Sequence, residues 1–595
     1  MRNLTAGRIA LIAAAIAIVA YLPSLANSWA LDDISVIERN ARVHSIGAAL
    51  EAFFAPYWPP VGDGSPGLYR PLIILSYAVD WTLSGGTPWF SHLMNVLWHA
   101  AATALVVLVA AAWLGGPALL VVGVVFALHP VHVEAVANVV GRAELMAAVL
   151  VLGAMLAARR GRDSVAVVLV AAALLTKESA IVALPLIWLD TWLGRRSQRA
   201  GLSLALGVVS LAWLHLWHAI AGAMVLDGVA APLRNLGAGE RLATMLPIVL
   251  EVVRLLTWPF RLAADYNPQM IVPTTTLTWA GALGVAVVTA LLGLALALRR
   301  TAPAVTCGIV GGAIAWGPTA NVLAPTGILL AERTLYLPSI AVALVAGVIA
   351  AGVLERFPGQ GRLALAGALL LAGVWTVRVE TRIPFWRDSR TVVIEDYLEH
   401  PENYRAHVRI GFVYAQTGDT ARALREYLWA AELWPHDPVV TVQAGGAAMA
   451  TGQVRVALRE ARRGWALAPG SPVTAERLAA TLAWAGDREG ALAVAAAGRA
   501  RHAGSAALET RYAALRREIG IDPWWDDLLA GRMAWLEGRA QAATGRLRTA
   551  AIHVPDDPPR SACADLRDGA ELARNLLVEG SDRLADASDA ACSGN

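Results

Sequence analysis

The chain has 595 residues, of which 57% are hydrophobic and only 16% are charged, and its formal net charge is +3 at pH 7. Its mean hydropathy of +0.52 is far above that of ordinary soluble domains, so the composition indicates a polytopic membrane protein. A net charge this small, summed over loops on two sides of a bilayer, gives no sign of nucleic-acid binding.

The first apolar segment, residues 9–26, contains no charged side chain and follows two arginines. Its length predicts a retained membrane-spanning helix, and the positive flank predicts a cytoplasmic amino terminus. Asp32 and Asp33 follow this span directly, at the start of a long outward loop. Charged side chains next to hydrocarbon are costly unless they are paired or functional, so this aspartate pair is the first candidate site.

Arginine-rich loops between the later apolar segments predict on which side of the membrane each loop lies. The segment near 240–262 carries Arg241, Glu251 and Arg254, and is predicted to be re-entrant or interfacial. This leaves eleven crossings and sends everything after residue 380 to the extracytoplasmic side. The predicted spans lie near 9–26, 92–114, 117–129, 142–158, 164–176, 179–193, 201–224, 277–298, 303–318, 335–354 and 362–378.

The densest group of ionisable residues lies between residues 128 and 144, at one edge of the membrane. It contains two imidazoles, two carboxylates and one guanidinium. The histidine spacing around a proline matches no zinc pattern, so binding of phosphate or sugar hydroxyls is favoured over binding of a metal. These residues are His129, His132, Glu134, Arg142 and Glu144.

Two further charged pairs fall in short loops that the predicted topology places on the same side. Lys177 and Glu178 lie at the tip of the hairpin between the fifth and sixth spans, either as a structural ion pair or as part of a site. Arg333 follows Glu332 just before the tenth span. Its forked donors suit the phosphate of an anionic lipid, and the alternative is an arginine that only anchors the helix at the interface.

A different pattern begins near residue 400. Gly418, Gly452 and Gly486 recur at intervals of 34 residues, the period of tetratricopeptide (TPR) helical hairpins. Stacked hairpins bury their apolar faces against one another and leave a groove suited to a peptide, although a docking scaffold has the same pattern. The predicted repeats lie near 403–436, 437–470 and 471–504, with a degenerate unit near 524–557.

The patterns together predict an all-α protein with a membrane domain over 1–380, a junction over 381–400 and an extracytoplasmic TPR solenoid over 401–595. Three cysteines are too few for a disulfide framework. Cys307 lies in an apolar run and is predicted to be a small core residue. Cys563 and Cys592 lie in the polar carboxyl-terminal part, and the sequence leaves open whether they pair.

Several strings along the chain resemble the transmembrane and tetratricopeptide-repeat O-mannosyltransferases (TMTC-like) of the C-type (GT-C) glycosyltransferase superfamily. The likeness covers nearly the whole chain and includes the order of its parts, with the membrane domain before the repeats. The strings are Asp32-Asp33, Tyr69-Arg70-Pro71-Leu72, Met94-Asn95-Val96-Leu97-Trp98-His99, the block from His129 to Glu144, Lys177-Glu178, the run from Glu332 to Ser339, and Phe385-Trp386-Arg387-Asp388.

The resemblance implies a polyprenyl-phosphate sugar donor whose phosphate lies near Lys177 and Arg333, with Arg142 and His129 as further phosphate ligands. It implies that Asp33, slightly preferred over Asp32, is the general base for an acceptor hydroxyl, and that one-step displacement inverts the anomeric centre. No metal site is assigned, and a divalent cation held by the two aspartates is the alternative. Supporting roles fall to His132, Glu134, Glu144, Glu178, Glu332, Tyr69 and Arg70.

The expected reaction is transfer of mannose to a protein or peptide hydroxyl, with the acceptor bound in the TPR groove. A composition rich in Ala, Val and Arg with very little lysine is typical of a high-GC bacterial genome, and predicts an inner-membrane protein with a periplasmic active site. Two alternatives stand beside this function. One is a transferase of the same superfamily that acts on a lipid or polysaccharide, and the other is a non-catalytic membrane scaffold.

Overall fold

The computed structural model describes residues 5–59, 67–197, 199–222, 233, 236–266, 272–357, 361–501, 505–518, 523–536, 538–556, 558 and 562–593. Within these ranges the regular secondary structure is helical throughout, without a strand, which confirms the predicted all-α class. The chain divides into two compact units, Met1–Glu402 and Asn403–Asn595. The segment predicted to be a junction, 381–400, lies within the first unit.

The first unit is built from helices of very unequal length. In chain order they are α1 (Ala6–Tyr21), α2 (Ile46–Ala49), α3 (Pro71–Ser84), α4 (Pro88–Ala110), α5 (Gly116–Ala127), α6 (Val133–Ala137), α7 (Arg142–Arg159), α8 (Asp163–Leu174), α9 (Ala183–Leu193), α10 (Ala200–Ala221), α11 (Ala238–Met245), α12 (Ile248–Thr257), α13 (Trp279–Leu298), α14 (Pro303–Trp316), α15 (Ile340–Arg356), α16 (Gly361–Arg382) and α17 (Ser389–Glu399).

Five helical segments of the described chain are long and apolar enough to cross a membrane, as expected for a membrane protein. A sixth candidate is a pair of consecutive helices, Gly116–Ala127 and Pro130–Ala137, which are bent by 43° at the break between them. Each of the eleven predicted segments contains a helix, but several are short, and the number of crossings stays a prediction. The five segments are Ala6–Ala26, Pro88–Ala110, Val139–Arg159, Ala200–Ala221 and Trp279–Leu298.

The segment predicted to be re-entrant forms two short helices, α11 and α12. At 8 and 10 residues, each is too short to cross a bilayer alone. One face of α12 buries Ile248, Val252 and Leu255, which recur at helical spacing. This amphipathic pattern is typical of a helix that lies against the protein or at the membrane surface.

Small residues let α1 pack closely against α4 and α5 in the core of the first unit. Ala13 and Ala17 of α1 are fully buried. A Cβ atom at Gly123 of α5 would overlap the side chain of Ala13, so the two backbones approach as closely as side chains allow. This packing fixes the end of α1, and with it the start of the loop that follows α1.

The second unit is a series of helical hairpins. Gly418, Gly452, Gly486 and Gly538 each adopt a positive φ, between +72° and +91°, in the turn of one hairpin. The hairpins α18/α19, α20/α21, α22/α23 and α25/α26 occupy the four predicted repeats. The helices are α18 (Tyr404–Gln416), α19 (Thr420–Leu433), α20 (Pro438–Ala450), α21 (Val454–Leu467), α22 (Pro472–Trp484), α23 (Arg488–Arg501), α24 (Ala506–Glu518), α25 (Pro523–Leu536), α26 (Ala540–His553), α27 (Cys563–Asn575) and α28 (Ser581–Cys592).

A further hairpin, α27/α28, follows the repeats that the glycine period predicts. Its ends are joined by a disulfide between Cys563 and Cys592, whose Cα atoms are 5.1 Å apart. This answers the question that the sequence leaves open about these two cysteines. Cys307 is buried and free, as predicted.

Candidate functional site

Four segments that are distant in the chain meet on one side of the first unit. A hydrogen bond joins the loop after α1 to the turn before α7, and an ion pair joins α6 to the 3-10 turn Glu332–Leu335. Two further ion pairs join α7 and the start of α3 to the turn between α8 and α9. The structure thereby brings together most of the residues that the sequence singles out. They are Asp32, Asp33, Arg70, Glu134, Glu144, Lys177, Glu178 and Arg333.

Asp33 is fully buried and holds the first loop in place. Its Oδ1 atom accepts the backbone N–H of Val140 at 2.8 Å, and its Oδ2 atom accepts the N–H of Ala30 at 3.0 Å. Burial raises the pKa of Asp33 to about 7, against the lowering effect of these two hydrogen bonds. Both oxygens of Asp33 therefore serve the fold, and the aspartate pair does not offer two free carboxylates to a cation.

Asp32 has the opposite environment. It is exposed, and its carboxylate accepts no hydrogen bond from the described residues. Leu31 before it adopts a left-handed backbone with φ +50°, and the wide π-type turn Ile34–Glu38 follows. These unusual conformations direct the two neighbouring aspartates to different surroundings, and such strain is often found at functional sites.

Arg333 is the cation of the site that solvent reaches most easily. Glu134, itself only 1% exposed, accepts the backbone N–H of Arg333 at 2.8 Å and forms an ion pair with its Nη1 atom. Burial alone would lower the pKa of Arg333, but the charges of Glu134 and Asp32 raise it, so the guanidinium stays charged. Within the described parts of the chain, its Nε and Nη2 atoms have no partner and remain available to an anion.

Lys177 and Arg70 lie side by side, each with a glutamate. Lys177 forms an ion pair with Glu144 of α7, and burial lowers the pKa of this lysine. Arg70 donates to the two oxygens of Glu178 at 2.9 and 2.5 Å. Burial would raise the pKa of Glu178, but Arg70 and Lys177 lower it to about 2. Glu178 is therefore ionised around neutral pH and faces the Arg70 guanidinium as a carboxylate.

A small cavity lies next to these ion pairs. Glu144, the partner of Lys177, and Thr334, the neighbour of Arg333, both line it. Most of the remaining wall is apolar and comes from α7, the turn before α9, and α14. Its other lining residues are Ala147, Ala148, Val151, Ser179, Ala180, Val182, Ala315, Thr319 and Leu337.

Arg142, predicted as a further phosphate ligand, is instead fully occupied inside the protein. Its side chain is about 1% exposed and pairs with Asp80 at 2.5 Å. Its Nε atom donates to Asn95 at 2.9 Å and its Nη2 atom donates to the carbonyl of Ser91 at 2.9 Å. A buried guanidinium with this many partners ties α3, α4 and α7 together.

The two histidines are also engaged in the interior. His129 is fully buried, its Nε2 atom lies 2.9 Å from the carbonyl of Leu256, and its Nδ1 atom accepts the N–H of Val131. The Nε2 atom of His132 lies 2.7 Å from the hydroxyl of Ser339, and its ring packs 4.5 Å from that of Tyr336. Among the described residues, no group of three or more His, Cys, Asp and Glu side chains is arranged to hold a metal ion.

Glu332 and Tyr69 make contacts away from the charged pairs. The Oε1 atom of Glu332 accepts the N–H of Ala263 at 2.6 Å and the hydroxyl of Tyr266 at 2.9 Å. The hydroxyl of Tyr69 donates to the carbonyl of Phe53 at 3.0 Å. Both residues therefore position loops around the site.

Sequence reasoning missed the place of Tyr57. The sequence gives no sign that Tyr57 belongs to the interior, yet its side chain is only 3% exposed. The guanidinium of Arg70 stacks over its ring at 5.2 Å, and the charges of Asp32 and Asp33 reach it. No sequence signal distinguishes Tyr57 from its aromatic neighbours, because its position depends on how the loop folds back.

No protein-family model matches the chain. Among curated proteins, it is 26% identical over 443 residues to protein O-mannosyl-transferase F38B6.6 of Caenorhabditis elegans, covering 71% of this chain and 62% of the relative. It is 35% identical over 289 residues to protein O-mannosyl-transferase Tmtc2 of Drosophila melanogaster, covering 44% and 31%. It is 32% identical over 193 residues to human protein O-mannosyl-transferase TMTC3, covering 30% and 21%.

The chain thus spans less than two thirds of the length of these relatives. All three relatives carry the name protein O-mannosyl-transferase. Solved structures align only distantly. Yeast Tom70 matches at 12% identity over 75% of this chain and 88% of its own, with a TM-score of 0.23, which is too low to argue a shared fold.

Proposed function

We propose that the protein transfers mannose from a polyprenyl-phosphate donor to a hydroxyl group of a protein acceptor, on the extracytoplasmic face of a bacterial inner membrane. One observation carries the proposal most directly. The carboxylate of Asp32, which has no hydrogen-bond partner among the described residues, lies within electrostatic range of Arg333, and two donors of Arg333 also lack a partner in this part of the chain. A base and a phosphate-binding cation at a membrane edge are what this reaction requires.

The donor phosphate would bind between Lys177 and Arg333. The small cavity described above is lined by Glu144, the partner of Lys177, and by Thr334, the neighbour of Arg333. It has room for a water-sized group only, so it would widen when the phosphate and the start of a prenyl chain enter. When the glycosidic bond breaks, negative charge grows on the phosphate, and two fixed cations stabilise that charge more in the transition state than in the ground state. Arg142 and His129 take no part in this binding, because their donors are used inside the protein.

Asp32 is the general base in this mechanism, rather than Asp33. Its carboxylate takes the proton of the acceptor hydroxyl as that oxygen attacks the anomeric carbon. The bond from the anomeric carbon to the phosphate oxygen breaks at the same time, and polyprenyl phosphate leaves with the bonding electron pair. A single displacement inverts the anomeric centre. Asp33 acts as a positioning residue, because its two backbone hydrogen bonds set the loop that carries Asp32.

The second unit supports a protein acceptor on the outer side of the membrane. Helical hairpins of the TPR type form grooves that bind extended or helical peptides. The disulfide between Cys563 and Cys592 suits the oxidising periplasm better than the reducing cytosol. Both features agree with an acceptor polypeptide that meets the enzyme outside the cytoplasm.

Reconstituted protein tests the proposal directly. Proteoliposomes receive radiolabelled polyprenyl-phosphate mannose and a periplasmic protein extract, and label is followed into polypeptide and lipid fractions. We expect label in polypeptide, and we expect Asp32→Asn to reduce it by about 10²-fold or more, the usual contribution of a general base. Glu38→Gln, an exposed acid in the same loop, is the matched control and should retain transfer.

Other outcomes would contradict parts of the proposal. Label only in lipid would favour a lipid or polysaccharide acceptor, and no transfer from any polyprenyl-phosphate sugar would favour a scaffold. Full activity in Asp32→Asn would remove the assigned base. Loss of activity on chelation, restored by a divalent cation, would show a metal requirement that the mechanism above does not contain.

A further inference from the structure

Lys177 is the only lysine among the 49 lysine and arginine residues of the chain. Wherever else the chain uses a fixed cation, it uses arginine, so the general composition does not account for a lysine at this position. An ammonium group is a compact charge that rotates freely, whereas a guanidinium is a rigid planar fork. We therefore expect this position to require a compact charge that can reorient, a property that the rigid guanidinium of arginine lacks.

The environment of Lys177 is closed and only partly satisfied. The residue is 6% exposed, and within the described chain its Nζ atom has a single acceptor, Glu144. An ammonium group carries three N–H donors, and buried donors without acceptors are costly. Arg70 and its partner Glu178 both lie close by, so the unused donors of the ammonium in the described chain, rather than an excess of positive charge, leave room for a further acceptor.

The three site cations are already neutralised one to one. Arg333 pairs with Glu134, Lys177 pairs with Glu144, and Arg70 pairs with Glu178. A donor phosphate brings a further negative charge, and a buried charge needs a partner. The phosphate can use the Nε and Nη2 donors of Arg333, which have no partner in the described chain, but a second cation becomes available to it only when one of these carboxylates releases its partner.

Glu144 is the carboxylate that is held least. Glu134 also accepts the backbone N–H of Arg333, and Glu178 is bound by two nitrogen atoms of Arg70. Glu144 makes a single described contact, to Lys177, and it lines the cavity. Its release costs one contact and opens the cavity wall to the ligand.

We infer that Glu144 is a displaceable counter-ion, and that binding of a polyprenyl phosphate moves Lys177 from Glu144 to the phosphate. This inference rests on the proposed function, because it assigns how that same donor site opens. It also explains the lysine. An arginine would hold Glu144 through two parallel hydrogen bonds and would not release it. Glu144 is then a positioning residue, and Lys177 is the residue that binds the ligand.

The single lysine makes the wild-type protein its own reporter. An amine-specific acetylating reagent can modify only Lys177 and the amino terminus, which serves as an internal reference. We expect polyprenyl phosphate to slow acetylation of Lys177 by about tenfold while the amino terminus is unaffected, since the ligand would fill the cavity beside it. If only inorganic phosphate protects Lys177, the ligand is free phosphate and not a lipid. If neither compound protects Lys177, the proposed movement of Lys177 from Glu144 to the phosphate is contradicted.

Two variants separate an exchange from a merely structural ion pair. Glu144→Gln removes the competing charge, so polyprenyl phosphate should raise its melting temperature more than it raises that of the wild type. Asp190→Asn is the matched control, because Asp190 of α9 forms a similarly buried ion pair with Arg159 of α7, the helix that also carries Glu144. It should lower the melting temperature without changing the ligand-induced shift. Equal shifts in both variants and the wild type would overturn the inference.

Lys177→Arg keeps the positive charge and tests the need for lysine. We expect a loss of polyprenyl-phosphate binding of tenfold or more, together with loss of transfer. If this variant binds polyprenyl phosphate as the wild type does, while Asp32→Asn is inactive, the proposed movement of Lys177 from Glu144 to the phosphate is contradicted and the proposed reaction is not. Protection of Lys177 by polyprenyl phosphate in a protein that transfers no mannose would support the release of Glu144 and contradict the proposed reaction.

Discussion

The backbone N–H of Val140 donates to the Oδ1 atom of Asp33 at 2.8 Å, and this bond ties the loop after α1 to the turn that begins α7. The loop carries Asp32, and α7 carries Glu144. A single buried carboxylate thus sets the distance between the proposed base and the proposed phosphate site. The predictions below concern the groups that hold this arrangement.

Gly141 lies next to Val140, at a point where two backbone segments touch. A Cβ atom at this position would overlap the carbonyl oxygen of Ala135. We expect Gly141→Ala to destabilise the protein by about 1–3 kcal/mol, because the backbone must move to accept it. Thermal unfolding of the purified protein in detergent measures this. Gly207→Ala within α10 meets no atom within 4 Å and should be neutral or slightly stabilising.

Arg142 should prove structural. Removing it leaves Asp80 buried without a partner, and breaking a buried pair of this kind costs about 3–5 kcal/mol. We expect Arg142→Lys to lower the melting temperature as well, since an ammonium cannot reach Asp80, Asn95 and Ser91 at once. The shift in melting temperature caused by polyprenyl phosphate should remain. A well-folded Arg142→Lys that no longer responds to the ligand would restore Arg142 as a phosphate ligand.

The raised pKa of Glu332 allows a prediction of how the free energy of unfolding changes with pH. Burial raises its pKa from 4.5 to about 8, against the opposing charge of Arg382 and with the support of Glu134. Between these values the folded protein holds a proton that the unfolded chain has lost, so this group makes stability fall as pH rises from about 5 to 8. Glu332→Gln keeps an acceptor for Ala263 and Tyr266 without the charge.

The variant Glu332→Gln should therefore melt a few degrees above the wild type at pH 8.5 and close to it at pH 5. Melting curves recorded across this range supply the comparison. Parallel curves for the two proteins would show that Glu332 does not titrate as stated.

The disulfide should stabilise the last hairpin of the second unit. Cys563 and Cys592 are 29 residues apart, and a loop of this size contributes about 3–4 kcal/mol when it is closed. Alkylation of the denatured, unreduced protein should label Cys307 alone. Cys563→Ser and Cys592→Ser should each lower the melting temperature by a similar amount, whereas Cys307→Ser should not alter the alkylation of the other two. Labelling of all three cysteines in the denatured, unreduced protein would contradict the pairing.

Sequence patterns were sufficient for the parts of the structure that depend on local order. The apolar segments all contain helices, and the glycine period falls on the turns of successive hairpins, because a left-handed turn after a helix favours glycine. The hairpin α27/α28 escaped this reasoning. It has a glycine of positive φ at Gly580, but that residue is out of step with the 34-residue period.

Within the site, the sequence identified the charged residues but not their partners. Arg142 and Lys177 have the same charge, yet one pairs with Asp80 inside the core and the other with Glu144 beside a cavity. Helix packing decides between these partners, and packing is a property of the whole fold. Which of Asp32 and Asp33 is exposed depends on the left-handed backbone of Leu31. A leucine in a sequence does not predict that conformation.

The 34-residue spacing of Gly418, Gly452 and Gly486, all left-handed, has a consequence for how this part of the chain can vary. A duplication or deletion of 34 residues at one of these turns adds or removes one complete hairpin and preserves every stacking surface. A change that cuts within a hairpin would leave an apolar face of the neighbouring hairpin in water. The number of hairpins can therefore change in whole-repeat steps while the first unit stays the same.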